Sequence, residues 1–149
     1  MVPGAANSPG SRMFLLDTNV LAEPTKRRPN PAVLKAISQH GGQLATASVV
    51  WHELQFGIRR LPPSKRRTAL ETYLANLADS DLTILPYDRQ AADYHASERA
   101  RLQAEGRTLP FADGQIAAIA AVSGRVLVTR NPKDFQYFRG VEVVSWWSG

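Results

Sequence analysis

Three carboxylates stand where solvent-facing acids rarely fall. Asp17 closes the apolar run Met13-Phe14-Leu15-Leu16 and opens Asp17-Thr18-Asn19-Val20. Such a run reads as a buried parallel strand whose acid emerges at its C-terminal edge, where open α/β sheets gather ligands. Glu53 lies in Val49-Val50-Trp51-His52-Glu53-Leu54-Gln55-Phe56-Gly57-Ile58. At spacings of three and four it shares a stripe with Val49, Val50, Phe56 and Gly57. Gly57 there leaves room for a close backbone approach. Asp113 precedes Ile116, Ala117 and Ala120 at helical spacing, so it falls on a face that should be buried. Each acid has a plainer role open to it: a turn or cap for Asp17, a boundary residue for Glu53, a first-turn acid favoured by the helix dipole for Asp113. Brought together, carboxylates repel by about 4 kcal/mol per pair at about 4 Å and an effective dielectric of about 20, so they need a cation or a proton. The pattern points to metal-dependent phosphodiester chemistry.

The elements that would position these acids alternate between strand and helix. Residues 13–17 form a first strand. A helix opens at Asn30-Pro31 and runs to about His40, with Gly41-Gly42 as its stop. Leu44-Ala45-Thr46 is a second strand. Ser48 is the expected N-cap of a helix reaching Arg60, ended by Leu61-Pro62-Pro63, and Ser64 caps another through about Leu77. Leu82 to Leu85 is a third strand. A helix follows from about Asp88 to Glu105, stopped by Gly106. An alanine-rich helix beginning at Thr108 or Phe111 ends at Gly124. Val126 to Thr129 is the fourth strand and Val141 to Val144 an edge strand. Repeated βαβ units predict a three-layer α/β/α sandwich with a mainly parallel central sheet.

The chain has 149 residues, 44% of them hydrophobic, enough for one domain with a real core and too few for two ordinary ones. No apolar run approaches the roughly 20 residues of a membrane span. The absence of cysteine excludes disulfides, thiolate zinc sites and a cysteine nucleophile, and it suits a reducing cytoplasm. Residues 1–12, rich in Pro, Gly and Ser, read as a disordered leader, a cloning remnant or an over-extended start, with the single domain at 13–149. A net charge of +5 favours a polyanionic partner, and the basic residues cluster at Lys26-Arg27-Arg28, Arg59-Arg60, Lys65-Arg66-Arg67, Arg99 and Arg101.

A fourth oxygen donor follows the fourth strand, where Thr129-Arg130-Asn131 leads to Asp134-Phe135. Adjacent parallel strands share one C-terminal edge, so Asp17 and Asn131 should face the same cleft. Carboxylate and amide oxygens suit Mg²⁺, with Mn²⁺ as a substitute. His40, His52 and His95 show no metal spacing and read as ordinary polar residues.

Taken in order, Asp17-Thr18-Asn19-Val20, Ala47-Ser48 to Glu53-Leu54 with Gly57, Ala112-Asp113, and Thr129-Arg130-Asn131 with Asp134-Phe135 resemble the PIN-domain ribonucleases. The chain is most similar to VapC-like toxins of type II toxin–antitoxin modules, in the FitB-like branch. The resemblance covers residues 13 to about 147. It implies Mg²⁺-dependent hydrolysis of RNA, with Asp17, Glu53 and Asp113 as catalytic metal ligands. Many members carry a fourth Asp where this chain has Asn131, so that position is neutral here, and the resemblance implies that Asn131 holds a metal-bound water as a fourth catalytic residue or that Asp134 partly compensates. Thr18, Asn19 and Thr129 match site-lining positions, and Arg130 is placed to meet a substrate phosphate or an antitoxin carboxylate. A homodimer and an inhibitory antitoxin are implied as partners.

Three other readings account for parts of the pattern. A haloacid-dehalogenase-like phosphatase would also start from a strand and Asp, but it needs a second acid where Asn19 stands. A non-catalytic basic nucleic-acid-binding module accounts for the charge and leaves the acids on apolar faces unexplained. A PIN-type RNA-processing nuclease without an antitoxin shares the same site.

Overall fold

The computed structural model describes residues 12–147. The expected leader lies outside the described residues except for Arg12, which pairs with Glu142. Five parallel strands, β1 (Phe14–Leu16), β2 (Leu44–Ala47), β3 (Thr83–Leu85), β4 (Val126–Val128) and β5 (Val143–Val144), form one sheet in the order β3-β2-β1-β4-β5. Among the described residues, six α-helices connect them: α1 (Thr18–Ala22), α2 (Pro31–Gln39), α3 (Ser48–Arg59), α4 (Lys65–Ala78), α5 (Arg89–Ala104) and α6 (Phe111–Ser123). Short 3-10 turns cover Glu23–Thr25 and Pro132–Phe135. The strand order and the right-handed rule for parallel crossovers assign α1 to α4 to one face and α5 and α6 to the other, in keeping with the expected three layers.

The two central strands explain the hydrophobic runs. Every residue of β1 and β4 is buried, as both faces of the sheet are covered by helices. β1 leads into β2 on one side, while β4 leads into β5 on the other, so the chain reverses its direction of travel between them. Crevices at such reversals are where doubly wound sheets bind ligands. The register is flush: Leu16 pairs with Val128 on one side and with Thr46 on the other. Residues just past these ends therefore meet at one edge.

The structure amends several local readings. Helix α1 adds an element that the strand and helix patterns do not predict. It is one and a half turns long and is capped by Asp17, whose Oδ1 accepts the Thr18 amide at 2.8 Å. Ser48 is the first residue of α3 and not its cap; Ala47 holds the cap position without a side-chain bond. Gly57 makes no close approach, because a Cβ built there would meet nothing within 4 Å. Gly124 does end α6 as expected, in the left-handed conformation (φ 67°), with the Arg125 amide reaching back to the Ala120 carbonyl at 3.1 Å. Among the described residues no helix is long and apolar enough to cross a membrane.

Candidate active site

Asp17 sits at the sheet reversal, 9% exposed, with both carboxylate oxygens engaged. Oδ1 caps α1, and Oδ2 accepts the Thr129 hydroxyl at 2.7 Å. Thr129, the residue after β4, is fully buried, and its Oγ1 also accepts from the Asn131 amide at 3.2 Å and from Asn19 Nδ2 at 3.4 Å. Asn19 uses its other end, Oδ1, to accept the Arg130 amide at 3.1 Å. The DTN tripeptide and the TRN tripeptide are thereby laced together across the two central strands. Each oxygen of Asp17 still has a lone pair that these bonds do not use.

Glu53 reaches the same place from α3. It is exposed, and so is Phe56 on its expected apolar stripe (59%), which corrects the reading of that stripe as buried. The Thr18 hydroxyl donates to Glu53 Oε2 at 3.2 Å and ties it to the start of α1. Asp113 stands in the first turn of α6, half-buried, with Ile116, Ala117 and Ala120 buried below it.

Electrostatics join what the hydrogen bonds do not. Burial is the main cause that pushes the Asp113 carboxyl up to about 6, followed by the charges of Asp17, Asp134 and Glu53. Burial likewise pushes Asp17 up, against the Thr129 and Thr18 hydrogen bonds, and Asp134 adds to the rise. Asp134, in the 3-10 turn anchored by buried Phe135, thus lends its charge to the cluster. Asn131 is exposed beside it and contributes its backbone amide to Thr129. Arg130 turns its guanidinium over Trp147, 5.7 Å from the ring centroid, and its charge reaches Glu23.

The comparisons with known proteins agree with this fold. The PIN domain family matches residues 14–140. The chain belongs to the PIN domain family. It is 33% identical over 138 residues to "VapC ribonuclease Y4jK" of Sinorhizobium fredii, covering 91% of this chain and 98% of that protein. Among solved structures, FitAcB from Neisseria gonorrhoeae aligns with a TM-score of 0.83 at 28% identity, over 92% of this chain and 100% of that one. DNA-bound VapBC from Salmonella typhimurium aligns at 0.79 and 26% identity, over 91% and 98%.

The donor chemistry of this PIN domain suits a hard divalent cation. The charges of Asp17, Asp134 and Glu53 bear on Asp113, no thiolate is available, and a cation would relieve that repulsion. Among the described residues no three His, Asp or Glu side chains close into a ready-made cage, so a cation would be held by fewer direct carboxylates with water completing its shell.

Two residues beside the site of this PIN domain were not picked out by the sequence reading. Glu23, 3% exposed, accepts the Asn30 amide at 2.8 Å and faces Lys26 Nζ at 3.0 Å. Burial pushes its carboxyl up, but Asn30, Lys26 and Arg130 outweigh that and hold it low. Its position one helical turn after Asn19 was the available signal. Gly114, next to Asp113, packs against the His95 ring. His95 is accordingly a buried polar residue, 4% exposed and bonded to the Tyr87 hydroxyl at 2.9 Å.

The raised acids carry a pH signature in metal-free protein. A carboxyl at about 6 in the fold and near 3.8 when unfolded binds its proton more tightly in the folded state. The stabilisation is therefore complete below about pH 3.8 and is lost as pH rises through 6. Asp113→Asn removes that loss. In EDTA, the melting temperature of the variant relative to the parent should be higher at pH 7.5 than at pH 4.5. The difference is of the order of 1 kcal/mol after solvent screening, or about 2–4 °C. A pH-independent difference between the two proteins overturns the assignment of Asp113 as the strained acid.

Proposed function

We propose that this chain is a Mg²⁺-dependent ribonuclease that serves as the toxin of a type II toxin–antitoxin module. The observation that carries the reading is Asp113, driven up to about 6 by burial and by the converging charges of Asp17, Asp134 and Glu53 at the sheet reversal. The names of its relatives support the chemistry, and its likeness to toxin–antitoxin complexes supports the partner.

Asp17 and Asp113 would hold the cation directly, with Glu53 joining directly or through water. A divalent cation bound there supplies Lewis-acid charge that neutralises the build-up on a cleaving phosphodiester. The chain's own residues do the positioning. Thr129 and Thr18 fix the two oxygens of Asp17, Thr18 also steers Glu53, and Asn19 locks the Thr129–Arg130 peptide so that the two strand ends cannot drift apart. Asp113, pushed up by burial and by the charges of Asp17, Asp134 and Glu53, would give up its proton and join Asp17 as a carboxylate ligand when a cation neutralises those charges. The exposed basic residues Arg27, Arg28, Arg59, Arg60 and Lys65 hold the strand through salt-sensitive phosphate contacts. Arg101 is not among them, being tied to Glu98 and Glu105.

An antitoxin has a groove to fill. Ala22, Leu54, Ile58, Leu70 and Leu74 line an apolar channel of about 330 Å³ between α1, α3 and α4, and Thr18 and Glu53 stand at its site end. The open space at Gly57 belongs to this channel. An amphipathic antitoxin segment lying there would carry its end into the acids, and the proposal includes a homodimer and a cytoplasmic setting. The test is RNA cleavage by the purified chain: EDTA should abolish it, Mn²⁺ should restore it, and either ion should raise the melting temperature. Cleavage that ignores chelation overturns the reading.

A further inference from the structure

The helical turn that carries Asp113 also walls a second cavity, on its α5 side. It measures about 50 Å³ and is lined by His95, Arg99, Gln103, Arg107, Thr108 and Phe111, with no carboxylate in its wall. At about 10–15 Å³ per water-sized occupant it has room for roughly four, the scale of one tetrahedral oxyanion. Arg99 and Arg107 are exposed, and neither is paired with a carboxylate among the described residues. They rest on aromatic faces instead, Arg99 at 5.2 Å from the Phe111 centroid and Arg107 at 3.7 Å from that of Tyr137. The contrast with Arg101 is sharp, since two carboxylates and the Tyr137 carbonyl at 2.8 Å consume its donors. His95 spends Nδ1 on Tyr87 and presents the rest of its ring to Gly114 and the cavity. Burial, then the Arg99 charge, holds that imidazole below its usual range, so at neutral pH it adds no third charge to the cavity wall. Phe111, 52% exposed, stands at the mouth two residues from Asp113.

Two unpaired guanidinium groups around an oxyanion-sized hole, beside an exposed aromatic ring, make the parts of a single-strand binding site. We propose that this cavity is a phosphate subsite for the RNA strand, in which Arg99 and Arg107 grip a backbone phosphate adjacent to the scissile one and Phe111 stacks the base beside it. The inference rests on the ribonuclease reading, and it gives the strand a direction past Asp113.

Binding of a short single-stranded RNA to Asp17→Asn protein, in EDTA and over a range of salt, tests it without cleavage. Arg99→Gln with Arg107→Gln should weaken binding about tenfold and flatten the slope of log affinity against log salt by about 0.7, the loss of one phosphate contact. Phe111→Ala should weaken binding and leave the slope unchanged. Circular dichroism melts establish that each variant is folded. A parallel titration with inorganic phosphate should shift the His95 ring resonances in the parent and not in the double Gln variant. Unchanged affinity and slope in the double variant overturn the proposal. A phosphate shift at His95 with RNA binding indifferent to both arginines also overturns it, and assigns the pocket to free phosphate. Failure of the parent to bind RNA at all tells against the ribonuclease reading, whereas the phosphate titration still reads the pocket.

Discussion

Asp17→Asn should leave a folded protein whose RNA cleavage has fallen by about a hundredfold to a thousandfold, the scale on which a single preorganised electrostatic group acts. The shape is kept. Asn Oδ1 can still accept the Thr18 amide, which caps α1 at 2.8 Å in the parent. The other position turns from acceptor to donor and faces the Thr129 hydroxyl, which already accepts from Asn131 and Asn19. One strong hydrogen bond is thus lost, at a cost of about 1.5–3 kcal/mol for a charged acceptor. Against this, the variant no longer buries a charge that burial itself disfavours at this position. The two effects oppose each other, so the melting temperature should move by only a few degrees while cleavage collapses. Glu53→Gln should do less, since Glu53 is exposed and is fixed to the site only through Thr18. Parental cleavage rates in folded Asp17→Asn protein would refute the assignment of Asp17 as the central acid.

The site follows from the sequence as far as strand-edge logic reaches. A short apolar strand followed by an acid, and a second followed by Thr129-Arg130-Asn131, must discharge those residues at one edge if the strands are parallel neighbours, and they do. The helix bearing Asp113 was legible because its apolar neighbours recur at helical spacing. Glu53 was misjudged for the opposite reason: periodicity marks a stripe as apolar without saying whether anything covers it. Here the stripe borders the open channel next to α4, so Phe56 and Gly57 face space and Glu53 faces solvent. Helix α1 is too short for a periodic signal, and its cap is the same residue that does the chemistry. Glu23 and His95 were harder to read because their burial depends on how the fold closes around them, the turn that returns Asn30 and Lys26 to Glu23 and the packing of α5 on Gly114 for His95.

Charge tells the same story at larger scale. A surplus of basic residues suggested a polyanionic partner, but composition does not separate free cations from those spent on structure. Arg101 and Lys26 are spent, on Glu98 with Glu105 and on Glu23, while Arg99 and Arg107 rest on aromatic rings and stay available to an anion. The acids and the free cations therefore occupy adjoining walls around the first turn of α6. A polyanion can be gripped on one side of that turn while its cleavage chemistry proceeds on the other.

That turn depends on Gly114, and adding a single methyl group there should disable the protein. A Cβ at Gly114 would stand 2.2 Å from His95 Nε2 and 2.6 Å from Cδ2, well inside any real contact. The ring has nowhere easy to go, being held by the Tyr87 hydroxyl at 2.9 Å and by the edge of Phe111 at 4.7 Å between centroids. Gly114→Ala must then force α5 and α6 apart, an overpacking cost of about 1–3 kcal/mol. Alanine's better helix propensity returns about 1 kcal/mol at most, so the net sign is destabilising. The displaced element is the turn that aims Asp113, and cleavage should fall with stability. His95→Ala empties the space the new methyl needs, so in a double-mutant cycle the second substitution should cost about 1 kcal/mol or more less in the Gly114→Ala background than in the parent. Denaturant melts of the four proteins measure this directly. A Gly114→Ala protein as stable as its parent, or two losses that simply add, would show that the ring and the helix are not pressed together as the structure has them.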